Sequence, residues 1–213
     1  MNNIKPATTR GALFDLDGVL INTEPLYTAF WEQVGHKYQL PSPTFAYDIK
    51  GTTLKDILSR YFPDKATQDD LVNMVHQFED NIIYPVFDGV KEFLDSLQDA
   101  GWKIAIVTSS DNTKMEYLFN QLPWMKSRFD VIVTGSMVSR SKPDPEGYLT
   151  AARLLGCSPE NCVVFEDSFQ GLEAGRRAGA KIVALATTNS RESLAGKADL
   201  IIDSFQELNF EML

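Results

Sequence analysis

Short apolar runs alternate with helical patterns along most of this chain. The runs are continuous, which is typical of strands buried on both faces of a parallel sheet. Between them, apolar residues recur at i, i+3, i+4 and i+7, and this spacing predicts helices around 88–100, 115–122 and 148–155. The alternation predicts an α/β fold: a doubly wound parallel sheet with helices on both faces. The predicted strands are Ala12–Leu16, Ile104–Val107, Val131–Val133, Val163–Phe165, Ile182–Ala186 and Leu200–Ile202.

One interval is too long for a simple strand–helix–strand unit. The first strand ends near Asp17 and the second near Thr108, 91 residues later (108 − 17), whereas such a unit needs about 30. We therefore predict a small inserted helical cap domain at 22–84, over the carboxyl edge of a core formed by 1–21 and 85–213. The alternative is that the inserted helices extend the core. The three amphipathic segments of the insertion are 24–36, 54–62 and 71–82.

Polar side chains follow four of the predicted strands. In an open parallel sheet, ligands bind beyond the carboxyl ends of the strands. Each of these four ends carries a carboxylate, a hydroxyl or an ammonium group, so we expect them to converge on a single site. The segments are FDLDG (14–18), TSSDN (108–112), SKPDP (141–145) and EDS (166–168).

The carboxylates among these residues predict a metal site. Asp15 and Asp17 are two positions apart, which in a strand places both side chains on the same side. Glu166 and Asp167 would add to their repulsion, and such a cluster is tolerable when a cation lies among its members. Oxygen ligands without histidine or cysteine favour Mg²⁺. An isolated Asp-x-Asp is more often a solvated turn, but Asp15 closes an apolar run, where a carboxylate is costly.

The same strand ends supply groups that bind phosphate: a hydroxyl, a backbone N–H, a helix N-terminus and an ammonium. Phosphoryl transfer depends mainly on positioning and electrostatic stabilisation of the transferring group. One carboxylate can be the nucleophile, and a second can protonate the leaving oxygen and later deprotonate a water. Asp15, at the strand end, suits the first role, and Asp17, one step nearer the cap, suits the second. The phosphate-binding candidates are Thr108, Ser109, Asn112 and Lys142.

Composition excludes some classes of binding partner and bears on the cellular location of the protein. The chain has 213 residues, and acidic residues outnumber basic ones, 29 to 20, for a net charge of −9. This balance speaks against nucleic-acid binding and against a polybasic membrane contact. No apolar run approaches the roughly 18 residues of a membrane span, and the first residues carry no signal-peptide core, so we expect a cytoplasmic protein. Two cysteines are too few for a disulfide framework, and without a heptad or a surplus apolar stripe we expect a monomer.

The four motifs resemble those of the haloacid dehalogenase (HAD) superfamily, in particular its capped phosphatase and beta-phosphoglucomutase branch. The likeness rests on FDLDGVL (14–20), TSSDN (108–112), SKPDP (141–145) and VVFEDSFQGLEAG (163–175), in this order, and covers essentially the whole chain. By this resemblance Asp15 is the nucleophile and Asp17 the general acid/base.

The resemblance also implies how the phosphate and the metal are held. For Glu166 two roles are open: it is one of the metal ligands, or it orients Lys142 without contacting the metal. The implied phosphate-binding groups are Thr108, the Ser109 N–H, Asn112 and Lys142. The implied Mg²⁺ ligands are the Asp15 carboxylate, the Asp17 backbone carbonyl, Asp167 and Glu166.

Substrate selection in this branch belongs to the cap. Lys50, Gly51 and Thr52 resemble the cap loop that enters the active site. The sequence departs from the mutase pattern at Leu54, where mutases place an arginine, and at Tyr27, where they carry a histidine. A sugar bisphosphate would be poorly held, because a nearby lysine does not replace an arginine fork equally. The expected function is therefore Mg²⁺-dependent hydrolysis of a small phosphorylated metabolite, such as a sugar phosphate, through an aspartyl-phosphate.

Two alternatives stay open at this point. A beta-phosphoglucomutase-type enzyme would share every step to the aspartyl-phosphate and differ only in the acceptor. A signalling receiver module also holds an aspartyl-phosphate with acidic residues, Mg²⁺ and lysine. Receivers, however, are normally one domain of average length without a cap, and they have no leaving alcohol for Asp17 to protonate.

Overall fold

The computed structural model describes residues 9–209 and 212–213. Six parallel strands form one sheet in the order β3-β2-β1-β4-β5-β6, so the chain switches direction across the sheet between β1 and β4. The predicted α/β fold is confirmed, and the predicted strand ends differ from the observed ones by two residues or fewer. The strands are β1 Gly11–Phe14, β2 Lys103–Val107, β3 Val131–Val133, β4 Cys162–Glu166, β5 Lys181–Leu185 and β6 Leu200–Ile202.

Helices connect the strands and form the insertion between β1 and β2. In the part of the chain that the structure describes, no helix is long and apolar enough to cross a membrane. The inserted helices are α1 Glu24–Lys37, α2 Phe45–Asp48, α3 Leu54–Tyr61 and α4 Lys65–Asn81. The others are α5 Val90–Asp99, α6 Asn112–Gln121, α7 Pro123–Lys126, α8 Glu146–Leu155, α9 Phe169–Ala178 and α10 Arg191–Leu194.

Both faces of the sheet are buried. Successive residues of a strand point to opposite faces, and accordingly Phe14 belongs to one hydrophobic cluster and Leu13 to the other. The same division separates Ile106 from Ala105 on β2. This burial explains why the strand sequences are continuously apolar.

The register of the central strands brings their carboxyl ends together. Phe14 pairs with Ile106 of β2 on one side and with Phe165 of β4 on the other. Asp15, Thr108 and Asp167 therefore follow at the same edge of the sheet, at the crevice where the strand order reverses.

The inserted helices form the predicted cap around a hydrophobic cluster of their own. That cluster includes Trp31, Phe45, Leu71 and Val75. The chain enters and leaves the insertion at adjacent points, where the Asn22 N–H donates to the Pro85 carbonyl at 2.7 Å. The exact division at residues 22 and 84 stays a prediction.

Two details of the cap differ from the sequence pattern. Helix α2 was not predicted, because four residues are too few to show a helical period. Ile82 continues the apolar stripe of the third segment in sequence, but α4 ends at Asn81 and Ile82 packs against the core cluster.

Candidate active site

A cavity of about 110 Å³ lies at the carboxyl edge of the sheet, between the core and the cap. Its walls come from the ends of β1, β2 and β4, from α1, α2, α3, α4 and α6, and from the loop before α3. Lys142 lies beside it through its contact with Asp15. Of the residues predicted from the sequence, the cavity is lined by Asp15, Asp17, Thr108, Ser109, Asp167, Lys50, Gly51 and Thr52.

Asp15 and Lys142 form a buried ion pair. Asp15 follows β1 directly, and its N–H donates to the Phe165 carbonyl at 3.0 Å, which continues the β1–β4 ladder by one residue. Its Oδ1 accepts from Lys142 Nζ at 2.6 Å. Burial raises the pKa of Asp15 to about 7, although the Lys142 ammonium opposes the shift, and the negative charge of Glu166 adds to it. Burial alone would lower the pKa of Lys142, but Asp15 and Glu166 raise it above its usual value, so this lysine is charged.

Glu166 is fully buried, and protein donors occupy both of its oxygens. Oε1 accepts from Lys142 Nζ at 2.6 Å and from the Tyr148 hydroxyl at 2.9 Å. Oε2 accepts from the Asp167 N–H, the Ser168 N–H and the Ser168 hydroxyl, each at 3.0 Å. This geometry favours the alternative role of Glu166, the orientation of Lys142, over direct metal ligation.

The arrangement of acidic oxygens fits a divalent cation. Asp15, Glu166 and Asp167 have carboxylate oxygens within 4.8 Å of one another. Asp15 and Asp167 can offer theirs to a cation, and Glu166 adds negative charge beside them. The pKa of Asp167 is raised well above its usual range, first by burial and then by the charges of Glu166, Glu24 and Asp15. Buried carboxylates this close together repel, and oxygen ligands without histidine or cysteine suit Mg²⁺.

A glycine makes room for this cluster. Gly18 has a φ of +78°, and a Cβ at this position would lie 2.0 Å from Asp167 Oδ2. Only glycine combines this backbone conformation with so close an approach.

Asp17 has a different set of partners from Asp15. Both of its carboxylate oxygens accept from Lys114 Nζ at 2.6 Å, one accepts from the Thr23 hydroxyl, and the other accepts from the Ser110 hydroxyl at 3.1 Å. Burial by itself would raise the pKa of Asp17, but Lys114 and the two hydroxyls outweigh burial and lower it below its usual value. Asp17 is therefore an ionised carboxylate in this conformation.

Lys114 is a cavity residue that was not predicted from the sequence. It is 3% exposed, and its ammonium lies 4.3 Å from the centre of the Tyr27 ring. A signal was present in the sequence: Lys114 is four residues before the buried Leu118 and so shares its face of α6. A lysine on the apolar face of a helix is costly without a partner.

Asn112 does not reach the cavity. It begins α6, its side chain is exposed, and its Oδ1 accepts from the Thr134 hydroxyl at 2.8 Å. The helix start itself is capped by Asp111, whose carboxylate accepts from the Lys114 N–H at 3.0 Å. Asn112 therefore lies apart from the residues that line the cavity, and its role in phosphate binding stays a prediction.

The cap loop contacts the core directly. The Ser109 hydroxyl donates to the Gly51 carbonyl at 2.7 Å. Gly51 has a φ of +77°, and a Cβ there would lie 3.0 Å from the Ser168 hydroxyl. Lys50, at the cavity wall, pairs with Glu24 of α1. The loop that includes residues 50–52 therefore closes one side of the cavity.

Comparison with known proteins agrees with this geometry. The family model for haloacid dehalogenase-like hydrolases matches residues 12–185. The validoxylamine A 7'-phosphate phosphatase of Streptomyces hygroscopicus subsp. limoneus is 33% identical over 205 residues, covering 93% of this chain and 95% of the relative. The beta-phosphoglucomutase of Mycobacterium tuberculosis is 28% identical over 242 aligned positions, covering 95% and 92%.

A solved structure shows the same fold. The crystal structure of CbbY from Rhodobacter sphaeroides in complex with phosphate superposes with a TM-score of 0.80 at 25% identity, covering 97% of this chain and 99% of that chain. The family match spans the strand ends that carry Asp15, Thr108, Lys142 and Asp167. The chain therefore belongs to the haloacid dehalogenase-like hydrolase family.

Proposed function

We propose that this protein is a Mg²⁺-dependent phosphatase that hydrolyses a small phosphorylated metabolite, such as a sugar phosphate, through an aspartyl-phosphate. One observation carries the proposal: Asp15, Asp17, Thr108 and Asp167 line a single cavity, and Lys142 Nζ lies 2.6 Å from Asp15. The phosphatases among its relatives support the same reaction class. Because the chain belongs to a hydrolase family, we do not propose the alternative function of a signalling receiver module.

In the first step, an Asp15 carboxylate oxygen attacks the phosphorus atom. The bond between phosphorus and the leaving oxygen breaks, and Asp17, which takes up a proton from solvent when the phosphate ester binds, gives that proton to the leaving oxygen. Lys142 and the Thr108 hydroxyl hold the equatorial phosphoryl oxygens, whose charge grows in the transition state. The products of this step are the free alcohol and a phosphorylated Asp15.

In the second step, Asp17 takes a proton from a water that attacks the phosphorylated Asp15. Phosphate leaves, and the Asp15 carboxylate is regenerated. The lowered pKa of Asp17 keeps this carboxylate deprotonated, as a base must be before it takes a proton. In the first step, the negative charge of the entering phosphate raises the affinity of Asp17 for a proton, so one residue serves both steps.

Asp15, Asp167 and the backbone carbonyl of Asp17 would hold the metal. A bound Mg²⁺ supplies positive charge that offsets the crowded carboxylates and the phosphoryl oxygens. Glu166 stays outside this ligand set in the proposal, because its oxygens already accept from Lys142, Tyr148 and the start of α9.

The charges at the cap side of the cavity favour hydrolysis over a mutase. A mutase needs a free cation for the second phosphate of a bisphosphate. In residues 9–209 and 212–213, the lysines that line the cavity are Lys50 and Lys114, and each pairs with a carboxylate, Glu24 and Asp17 respectively.

The test is phosphate release from a panel of phosphorylated metabolites, with and without EDTA. We expect release that requires Mg²⁺ and that disappears in Asp15→Asn. Incubation with glucose 1-phosphate and a trace of the bisphosphate separates the mutase, since free phosphate supports hydrolysis and glucose 6-phosphate supports the mutase. A stable phosphoprotein without turnover would contradict both.

The cytoplasmic location and the monomeric state stay predictions from the sequence. Size-exclusion chromatography with light scattering checks the second, and an elution mass near 23.9 kDa is the expected result.

A further inference from the structure

Helix α4 carries a carboxylate on its apolar face. Leu71, Val75 and Glu79 are four residues apart and all buried, with Glu79 only 5% exposed. Residues at this spacing share one face of a helix, so Glu79 points the same way as the cap core. Burial of a carboxylate is costly unless it is hydrogen-bonded or ion-paired. Glu79 also lines the same cavity as Asp17.

One oxygen of Glu79 is held, and the other is unpaired. Oε1 accepts from the Tyr27 hydroxyl at 2.7 Å, and the backbone carbonyl of Glu79 accepts from the Tyr84 hydroxyl at 2.7 Å. Oε2 is buried and has no hydrogen-bond partner among residues 9–209 and 212–213. Buried polar atoms in native proteins are nearly always paired, so an orphaned acceptor at a cavity wall points to a donor that the protein does not supply.

Among the residues that the structure describes, no cationic side chain forms an ion pair with Glu79. The two lysines of the cavity wall pair with other carboxylates, Lys50 with Glu24 and Lys114 with Asp17. Burial raises the pKa of Glu79 to about 6, against the opposing effect of Lys114 and of the Tyr27 hydrogen bond. The group is therefore mostly ionised at neutral pH, and an ionised carboxylate can only accept hydrogen bonds.

We propose that Glu79 Oε2 accepts a hydrogen bond from a hydroxyl or amino group on the leaving group of the substrate, which makes Glu79 a specificity-determining residue. The inference rests on the proposed phosphatase function. It specifies the substrate class as phosphate monoesters whose alcohol bears a second donor, in preference to alkyl monoesters without one. An alkyl monoester would leave Oε2 buried and unpaired in the enzyme–substrate complex, and this cost is the physical reason why such esters would be poor substrates.

The test compares matched substrate pairs in four proteins. Each pair joins a polyol or amino-sugar monophosphate, such as glycerol 3-phosphate, a hexitol phosphate or glucosamine 6-phosphate, with an alkyl phosphate of the same chain length. The proteins are the wild type, Glu79→Gln, Glu79→Leu and the control Asp80→Asn, which removes an exposed carboxylate next along α4. The measured quantity is the ratio of kcat/KM within each pair.

We expect the wild type and Asp80→Asn to prefer the donor-bearing substrate by about tenfold to a hundredfold. In Glu79→Leu this ratio should fall close to one, through loss of activity on the donor-bearing substrate and not on its partner. Glu79→Gln keeps an acceptor for Tyr27, so it stays informative should the leucine variant fail to fold, and its ratio should fall in part. A larger fall with the amino sugar than with the polyols would identify an ammonium as the donor.

An unchanged ratio in Glu79→Gln and Glu79→Leu overturns the inference, as does an equal loss on both members of each pair, because a merely structural role would lower both. A wild type that hydrolyses these esters without preferring the donor-bearing members also overturns it, while the phosphatase proposal stands. A wild type that releases no phosphate from any of them contradicts both.

Discussion

The Lys114 ammonium lies 2.6 Å from each carboxylate oxygen of Asp17. This ion pair joins the first turn of α6 to the loop that follows β1, and Lys114 is almost fully buried. It separates the two aspartates of the first motif by environment: Asp15 has a raised pKa and Asp17 a lowered one. Two carboxylates two residues apart therefore titrate differently before metal and substrate bind.

Removing Lys114 should change the pH dependence of turnover. Lys114 lowers the pKa of Asp17, so in Lys114→Met that pKa rises. Asp17 must be ionised to act as the base, and the acidic limb of kcat should move to higher pH by about one pH unit or more. p-Nitrophenyl phosphate is the suitable substrate, because its leaving group needs no proton. The exposed Lys91→Met is the control, and an acidic limb in the same place for both variants would remove Lys114 from this role.

Asp15→Asn should abolish turnover and leave the fold intact. The substitution is nearly isosteric, but an amide oxygen does not form the aspartyl-phosphate, so we expect kcat to fall by about a thousandfold or more. Phosphate release measures the loss, and circular dichroism verifies the fold. Appreciable residual hydrolysis would contradict the assignment of the nucleophile.

Gly18→Ala should disrupt the carboxylate cluster. A Cβ at this position would lie 2.0 Å from Asp167 Oδ2, whereas a Cβ at Gly101 meets nothing within 4 Å. Both glycines have positive φ, at +78° and +75°, so both substitutions carry the same backbone strain of about 1 kcal/mol. Activity and its Mg²⁺ dependence should be lost in Gly18→Ala and kept in Gly101→Ala. Equal activity in the two variants would show that the close approach is unimportant.

The metal-free protein should lose stability as the pH rises. The folded-state pKa values of Asp15, about 7, and of Asp167 lie above the ordinary aspartate value. The folded state therefore binds more protons than the unfolded state, and stability falls from about pH 5 to about pH 8 as these groups ionise. Thermal unfolding in EDTA measures this loss.

Mg²⁺ provides the complementary measurement. At about pH 8 the ion should raise the melting temperature, because it binds the folded state and offsets the carboxylate charges. In Asp167→Asn the pH dependence should be smaller and the Mg²⁺ effect should disappear. A metal-free protein whose stability rises steadily over this pH range would argue against the crowded cluster.

Glu166→Gln should destabilise the fold. Both Glu166 oxygens accept from donors, so the amide NH₂ would face either Lys142 and Tyr148 or the N–H groups of Asp167 and Ser168. Breaking a buried charge network of this kind costs about 3 kcal/mol of unfolding free energy. Urea denaturation measures the change against the exposed Glu92→Gln, for which we expect almost none. Similar values for the two variants would refute the assignment of Glu166 as the anchor of Lys142.

The layered fold was predictable because its signals are local. Continuous apolar runs indicated the strands, and periodic stripes such as Tyr148, Ala151, Ala152 and Leu155 indicated helices whose apolar residues are indeed buried. The surplus length after Asp17 indicated the insertion, and the rule that ligands lie beyond the carboxyl ends of parallel strands brought Asp15, Thr108 and Asp167 to one edge. Each inference needs only a short window of sequence or the order of the elements.

The charges that face each reactive carboxylate depend on tertiary structure. Lys114 meets Asp17 across 97 positions of sequence, and Tyr27 meets Glu79 across 52. No local period indicates which helix faces which strand end, so these partners and the position of Asn112 outside the cavity lining could not be predicted. The sequence by itself determined the layers, the insertion and the four motifs, because periodicity and chain order carry that information. Only the packing of the cap and α6 against the sheet decided which cations and hydroxyls reach Asp17 and Glu79, because these contacts form when distant segments are buried together.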